Sequence, residues 1–383
     1  MKKIAVVTGT RAEYGLLKPI ILKILDEPDF ELNLIVTGTH LSEEFGNTIK
    51  DIEKDKIPIK TTVKAYPLTD DGFGMVRAIS KLIDGLVEEF SNDRPDFILI
   101  LGDRGEPLAA AIVGAYSNIP IAHIHGGEVS GSVDESVRHA ISKLATIHFP
   151  ATQSSFNRLI KMGESRERVF LSGAPGLDSI LSEKYQTRNK LCINLNFNPD
   201  EDIIVILQHP VTTEHVKGRS ALQMRSTLNA ASLLNIQTVI IYPNSDAGGR
   251  EIISEIKKHA SNPKFRIFEN LSSYDYHNLL KHASILIGNS SSGIIEAPSF
   301  NLPVINIGKR QDKREHAANV IHVDYDEEEI FQNASRILTD KELRRNLQNV
   351  QNPYGDGTAA KRIIETLKEI KITPELLQKK ISY

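Results

Sequence analysis

Short apolar runs separated by amphipathic stretches repeat along the whole chain. Lys3–Val7, Leu32–Val36, Ile59–Val63, Phe97–Leu101, Ile119–His123, Ile147–Pro150 and Arg168–Leu171 have the length of strands, and the most apolar of them read as buried on both faces. Helical patterns fill the gaps: Asn47–Lys54, a long amphipathic stretch over Met75–Phe90, and Ser154–Met162. After Asp202 the rhythm restarts with strands at Asp202–Leu207, Thr238–Tyr242, Phe265–Phe268, Ser284–Ile287 and Pro303–Asn306. The chain then turns helical and charged through Glu327–Leu338, Lys341–Val350, Thr358–Lys371 and Thr373–Ser382. Strands alternating with helices predict parallel sheets in both halves, an α/β chain. The polar stretch Glu183–Asp202, with Asn198-Pro199-Asp200 in it, reads as a linker between them.

Composition narrows this picture. At 383 residues the chain is long for one core, so two domains are expected. A net charge of −3 offers no footprint for nucleic acid or an anionic membrane. The apolar run after Lys2-Lys3 stops at Thr8, too short for a secretory leader, and no stretch reaches the roughly 18 apolar residues of a membrane span. A single cysteine, Cys192, excludes an intrachain disulfide framework and cysteine metal clusters. A soluble, cytoplasmic protein is expected.

Chemistry concentrates at strand exits, where open parallel sheets bind ligands. The segment Gly102–His139 is the richest. Phe97–Leu101 exits into Gly102-Asp103-Arg104, and the next strand exits into His125-Gly126-Gly127-Glu128. A Ser/Gly loop then leads into a helix starting near Ser132, with Asp134 and Arg138 one turn apart. Asp134/Arg138 and Glu135/His139 are i,i+4 pairs that an ordinary helix surface also carries. If Asp103, Glu128 and Asp134 converge, however, they can divide proton removal and proton donation. The alternating His123-Ile124-His125 can chelate a metal, but lacks a full ligand set, so no metal is expected. The first strand ends in Thr8-Gly9-Thr10-Arg11, a turn whose amides and arginine can face an anion; a plain βα turn with an exposed arginine competes. The G-x-G-x-x-G spacing of a dinucleotide site is absent there.

In the second half, Gly288-Asn289-Ser290-Ser291-Ser292-Gly293 joins a strand to a helix carrying Glu296. Small residues admit a ligand close to the backbone, and hydroxyls at a helix start suit a phosphate; a serine-capped helix is the plainer alternative. His209, held extended by Pro210, can donate to a phosphate or leaving group, or serve only the fold.

With these residues assembled, the chain resembles the UDP-N-acetylglucosamine 2-epimerase family over nearly its whole length. It is most similar to the hydrolysing branch that supplies N-acetylmannosamine, or its 2,4-diacetamido-trideoxy analogue, for sialic-acid-type sugars. The motifs are Thr8–Gly15, Val36–His40, Gly102–Arg104, His123–Glu128, Asp134–His139, His209–Thr213, Gly288–Gly293 and Gly355–Gly357. The resemblance implies two Rossmann-like doubly wound domains facing across a cleft, as in GT-B glycosyltransferases. It sets them at 1–183 and 184–360, with 361–383 returning to the first domain. It implies that Asp103 and Asp134 are the acid/base pair, with Arg138 beside them and His209 on phosphate oxygens. Ser290 and Ser291 would take the diphosphate and Glu296 the ribose, with Arg11, His40, Arg104, Asn244 and Arg310 also on the UDP-sugar. At His125 many relatives carry a catalytic glutamate, so His125 itself or Glu128 takes that role here.

The implied activity removes the C2 proton of a UDP-2-acetamido sugar while the C1–O bond to UDP breaks, then adds water to the 2-acetamidoglucal with inverted C2. No cofactor is called for; the UDP-sugar is the partner, and a homodimer is compatible. A non-hydrolysing 2-epimerase, a GT-B glycosyltransferase and a non-catalytic nucleotide-sugar-binding protein are the alternatives.

Overall fold

A computed structural model describes residues 1–43, 47–67, 72–129, 133–211, 218–243 and 248–382, with the side chains of 133 and 134 left out. The chain divides into two compact units, one formed by Met1–Leu181 with Tyr354–Tyr383 and the other by Ser182–Pro353.

The first unit is built on a six-stranded parallel sheet. Its strands are β1 (Lys2–Thr8), β2 (Phe30–Val36), β3 (Thr61–Thr62), β4 (Phe97–Leu101), β5 (Ile121–Ile124) and β6 (Ile147–Phe149), in the order β3-β2-β1-β4-β5-β6. Alternation along β1 sends Ile4 and Val6 to one face and Ala5 and Val7 to the other. On the first face they meet Leu17, Ile20 and Ile24 of the helix Arg11–Asp26 and Ile363, Ile364 and Leu367 near the C-terminus. On the second they meet Leu82 and Leu86 of the helix Gly72–Asn92 and the alanines of Gly105–Tyr116. Burial on both faces is why these strands are runs of Ile, Val and Leu; each such side chain contributes about 1.5–3 kcal/mol when fully buried.

The second unit repeats the plan. Its strands are β7 (Ile203–Leu207), β8 (Gln237–Ile241), β9 (Phe265–Phe268), β10 (Ile285–Gly288), β11 (Val304–Ile307) and β12 (Val320–Val323), ordered β12-β11-β10-β7-β8-β9. Counted from its own first strand, this is the first sheet's order. In both units the order reverses between the first and fourth strands, β1/β4 and β7/β10. Ligands bind at such a switch point, beyond the carboxyl ends of the strands.

Several sequence expectations need correction. Arg168–Leu171 is not a strand: Arg166–Arg168 is a 3-10 turn, and Val169 makes a single bridge to His148. The polar stretch after Glu183 is not an open linker, since Arg188–Leu195 is a helix with Leu191 and Cys192 buried. Arg188 makes that possible by donating to the carbonyls of Pro199 and Glu201, at 2.8 and 2.6 Å, and to that of His282. The strand β12 is an addition to the expected set, four residues long with His322 breaking its apolar run. The final helix shrinks to Pro374–Leu377, and the residues after it bind elsewhere on the first unit.

Candidate active site

In the first unit the exits of β4 and β5 carry most of the chemistry. Gly102 leaves β4 with φ +84, and Asp103 follows. Arg138, 5% exposed on the helix Val133–Leu144, donates through Nη2 to Asp103 Oδ2. Its Nε and Nη1 are buried with no hydrogen-bond partner among the described residues. A guanidinium with unused donors beside a carboxylate is suited to a further anionic or carbonyl group.

His125 leaves β5 with φ +62, a left-handed backbone that a non-glycine residue adopts at a cost. Its N–H is held by Phe149 O at 3.0 Å. The side chain is 11% exposed, with Nδ1 2.9 Å from Glu128 Oε1. With the ring proton on Nδ1, facing that carboxylate, the Nε2 lone pair is the one that can act as a base. Nε2 is buried without a hydrogen-bond partner among the described residues.

His123 has a different part. It is fully buried, with Nδ1 3.1 Å from Ser142 Oγ and Nε2 2.8 Å from Gly102 O. Burial pushes its imidazole down to about 3, so it is a neutral strut between β4 and the helix Val133–Leu144. With its ring nitrogens used in this way, His123 forms no chelating pair with His125, and the described residues hold no metal-binding group of three or more. The Asp134 side chain lies outside the described residues. His139 is next to Arg138 but turns to Glu135 at 4.0 Å.

The exits of β1 and β2 meet on Glu106, which sequence reasoning passed over. Gly38 has φ +58, and a Cβ there would stand 2.5 Å from Gly9 O and 2.8 Å from Glu106 Oε1. Only glycine lets the two loops and the first turn of the helix Gly105–Tyr116 meet so closely. Glu13, also passed over, is buried, and its Oε2 takes the Gly9 N–H at 2.6 Å. The signal was present: Thr10-x-x-Glu13 is a helix-capping pattern, and Thr10 Oγ1 takes the Glu13 N–H at 3.2 Å. Burial pushes the Glu13 carboxyl up to about 8, against the Gly9 hydrogen bond. His40 is enclosed, with Nε2 3.3 Å from Thr8 Oγ1 and Nδ1 2.8 Å from Thr48 Oγ1. Arg11 is exposed and pairs with Asp51 at 3.1 Å, and Arg104 is exposed 3.4 Å from Glu106.

In the second unit the switch point is laced by one asparagine. Asn289 Oδ1 accepts from the His209 N–H at 2.7 Å, and its Nδ2 donates to His209 O at 2.9 Å. The Asn289 carbonyl accepts from Arg310 Nη1 at 3.1 Å and Gln311 Nε2 at 2.9 Å. The sequence had offered no reason to choose Gln311. Ser290 Oγ takes the Ser292 N–H at 3.3 Å, and Ser292 Oγ is bonded to the half-buried Tyr276 hydroxyl. Glu296 is 3.5 Å from His277 Nε2. Thus Ser290, Ser291, Glu296, Arg310 and His209 gather around the β7 and β10 exits. Asn244 lies outside the described residues.

A family model described as UDP-N-acetylglucosamine 2-epimerase matches residues 23–368. The chain is 40% identical, over 100% of both sequences, to UDP-N,N'-diacetylbacillosamine 2-epimerase (hydrolyzing) of Legionella pneumophila subsp. pneumophila. It is 38% identical, over 86% of both, to UDP-N-acetylglucosamine 2-epimerase of Neisseria meningitidis serogroup B. The crystal structure of UDP-GlcNAc 2-epimerase from Neisseria meningitidis bound to UDP-GlcNAc shares its fold, with a TM-score of 0.80 at 20% identity over 96% of this chain and 100% of that one. No helix among the described residues is long and apolar enough to cross a membrane.

Proposed function

This chain belongs to the UDP-N-acetylglucosamine 2-epimerase family, and from that premise we propose that it is a hydrolysing 2-epimerase acting on a UDP-2-acetamido sugar. The products are UDP and the free sugar of opposite C2 configuration, N-acetylmannosamine or its 2,4-diacetamido-trideoxy analogue.

The observation that supports this most strongly is the pairing at neighbouring strand exits: Asp103 with Arg138, and His125 with Glu128. A base near C2 must be unprotonated and held in one orientation, and each pair holds one candidate in place. In our reading a base drawn from Asp103, Asp134 and the His125–Glu128 pair takes the C2 proton. The C1–O bond breaks, its electrons leave with UDP, and C1=C2 forms in a 2-acetamidoglucal. Water then gives its oxygen to C1, and a proton returns to C2 from the opposite face. His209, Ser290, Ser291, Arg310, Arg11 and Arg104 stabilise the departing diphosphate, Glu296 holds the ribose, and Asn244 and His40 complete the substrate contacts. The steps use no nicotinamide or metal. A cytosolic setting fits the buried free thiol of Cys192; sedimentation measures whether the chain forms a homodimer.

The test is turnover in D2O followed by NMR, with UDP-N-acetylglucosamine and its diacetamido-trideoxy counterpart as donors. Free sugar deuterated at C2 plus UDP is expected from one of them. UDP-N-acetylmannosamine accumulating without free sugar would mean a non-hydrolysing epimerase. Hydrolysis with C2 hydrogen retained would point to a glycosyltransferase lacking its acceptor, and UDP-sugar binding with no turnover of either donor to a non-catalytic protein.

A further inference from the structure

The last turn of the helix Val133–Leu144 is held from outside by one ammonium group. Lys379 Nζ donates to the carbonyls of Ser142, Lys143 and Ala145, each at 2.9 Å. These are carbonyls that a helix end leaves without intrahelical partners, and a cation there also complements the helix dipole. The same ammonium is 2.6 Å from Glu164 Oε2. The Glu164 side chain is completely buried and also receives Lys143 Nζ at 3.1 Å and His148 Nε2 at 3.0 Å. Burial alone would push the Glu164 carboxyl up, but His148 and Lys379 outweigh it and hold it down to about 2.

The segment that brings Lys379 here is itself pinned. Arg168 donates to the carbonyls of Leu376 and Glu375, both at 2.6 Å, and the Ser382 N–H donates to Gly163 O at 2.9 Å. From Lys379 two short routes lead to Asp103. One runs along the helix to Arg138, which pairs with Asp103. The other runs through Ser142 Oγ to His123 Nδ1 at 3.1 Å and from His123 Nε2 to Gly102 O at 2.8 Å, one residue before Asp103.

We propose that Lys379 is a positioning residue for the reaction: by fixing the last turn of the helix and Ser142 on it, it sets where Arg138 meets Asp103. It touches neither the substrate nor Asp103. The proposal rests on reading Asp103 as a reacting group, and it explains why residues 375–382 bind to this unit though the segment forms only a four-residue helix. A misplacement of an ångström at a reacting group is enough to slow chemistry markedly while binding persists.

The experiment compares full-length Lys379→Met and Lys379→Arg with the wild type. Lys379→Met is expected to lower kcat at least tenfold with KM within twofold, and to speed amide exchange over residues 137–144. Lys379→Arg, which keeps the cation and its donors, is expected to recover most of kcat. A Lys379→Met protein with wild-type kcat overturns the proposal even if its melting temperature falls, and so does a kcat loss that arginine fails to rescue. Should the methionine variant not fold, Lys379→Gln replaces it under the same criteria. A wild type inactive on UDP-sugars would instead remove the proposed reaction, and the exchange rates would still decide whether Lys379 orders the helix.

Discussion

His209 and Asn289 exchange two hydrogen bonds between the β7 and β10 exits, each using one backbone group of His209 and one side-chain atom of Asn289. The strand order reverses between these two strands. A single side chain therefore fixes the mouth of the crevice and presents the His209 ring from a rigid backbone.

Removing that lacing has a measurable consequence. Asn289→Ala deletes two hydrogen bonds, each contributing about 1 kcal/mol net, while its own carbonyl still receives Arg310 and Gln311. UDP affinity by calorimetry should fall roughly tenfold, the effect of about 1.4 kcal/mol. An unchanged Kd would mean His209 has no part in holding the nucleotide.

The His125–Glu128 contact makes a graded prediction. His125→Asn removes the Nε2 lone pair and should lower kcat by about 10²–10⁴, the usual contribution of a general base. Glu128→Gln leaves the imidazole but not the charge that favours its proton on Nδ1, and should lower kcat by less. Steady-state kinetics on the accepted donor reads both. If Glu128→Gln is the more damaging, Glu128 is the base and His125 its support.

How much of this was legible beforehand depends on range. Parallel α/β halves followed from apolar runs, and the polar exits of β4 and β5 stood out because turns rarely collect Asp, Arg, His and Glu. Roles set by burial did not show. His123 and His125 stand two positions apart on the chain, yet one is a sealed strut and the other has a nitrogen left over, because β5 ends between them. Glu13 stands in a capping pattern that sequence alone shows, but its burial and its raised carboxyl pKa come from neighbours that no local pattern names. The Lys379–Glu164 contact spans more than two hundred residues of sequence, and no local pattern at either residue announces it. Helix Arg188–Leu195 was missed because its few buried side chains are outnumbered by polar ones.

Buried neutral histidines predict the acid side of stability. Burial holds His40 down to about 4 and His123 down to about 3, each below the ordinary 6.5. The unfolded chain therefore takes up protons near pH 6.5 that the folded chain refuses. This stabilisation is complete above 6.5 and is lost as pH falls through 4 to 3, on the order of a few kcal/mol in all. In Glu13→Gln, which removes an opposing carboxyl titration over the same window, the urea midpoint should drop between pH 7 and 4.5, and the ring resonances of both histidines should not shift between pH 8 and 5.5. Either ring titrating near 6.5 would refute its enclosure.

Glu13 predicts the alkaline side, with the opposite sign. Burial raises its folded carboxyl to about 8 from an ordinary 4.5, and neighbouring Glu106 adds to the shift while the Gly9 N–H and Arg104 oppose it. Below pH 4.5 both folded and unfolded forms are protonated, and the group is neutral toward pH. Between 4.5 and 8 the unfolded chain ionises first, so stability declines steadily as pH rises; above 8 both are ionised and the loss is complete. Glu13→Gln keeps an acceptor for the Gly9 N–H and cannot ionise, so it escapes this loss. Its melting temperature relative to the wild type should therefore climb from pH 5 to pH 8 and level off beyond. A difference that stays constant over that window would mean Glu13 is already ionised at pH 5, with Gly9 and Arg104 outweighing its burial.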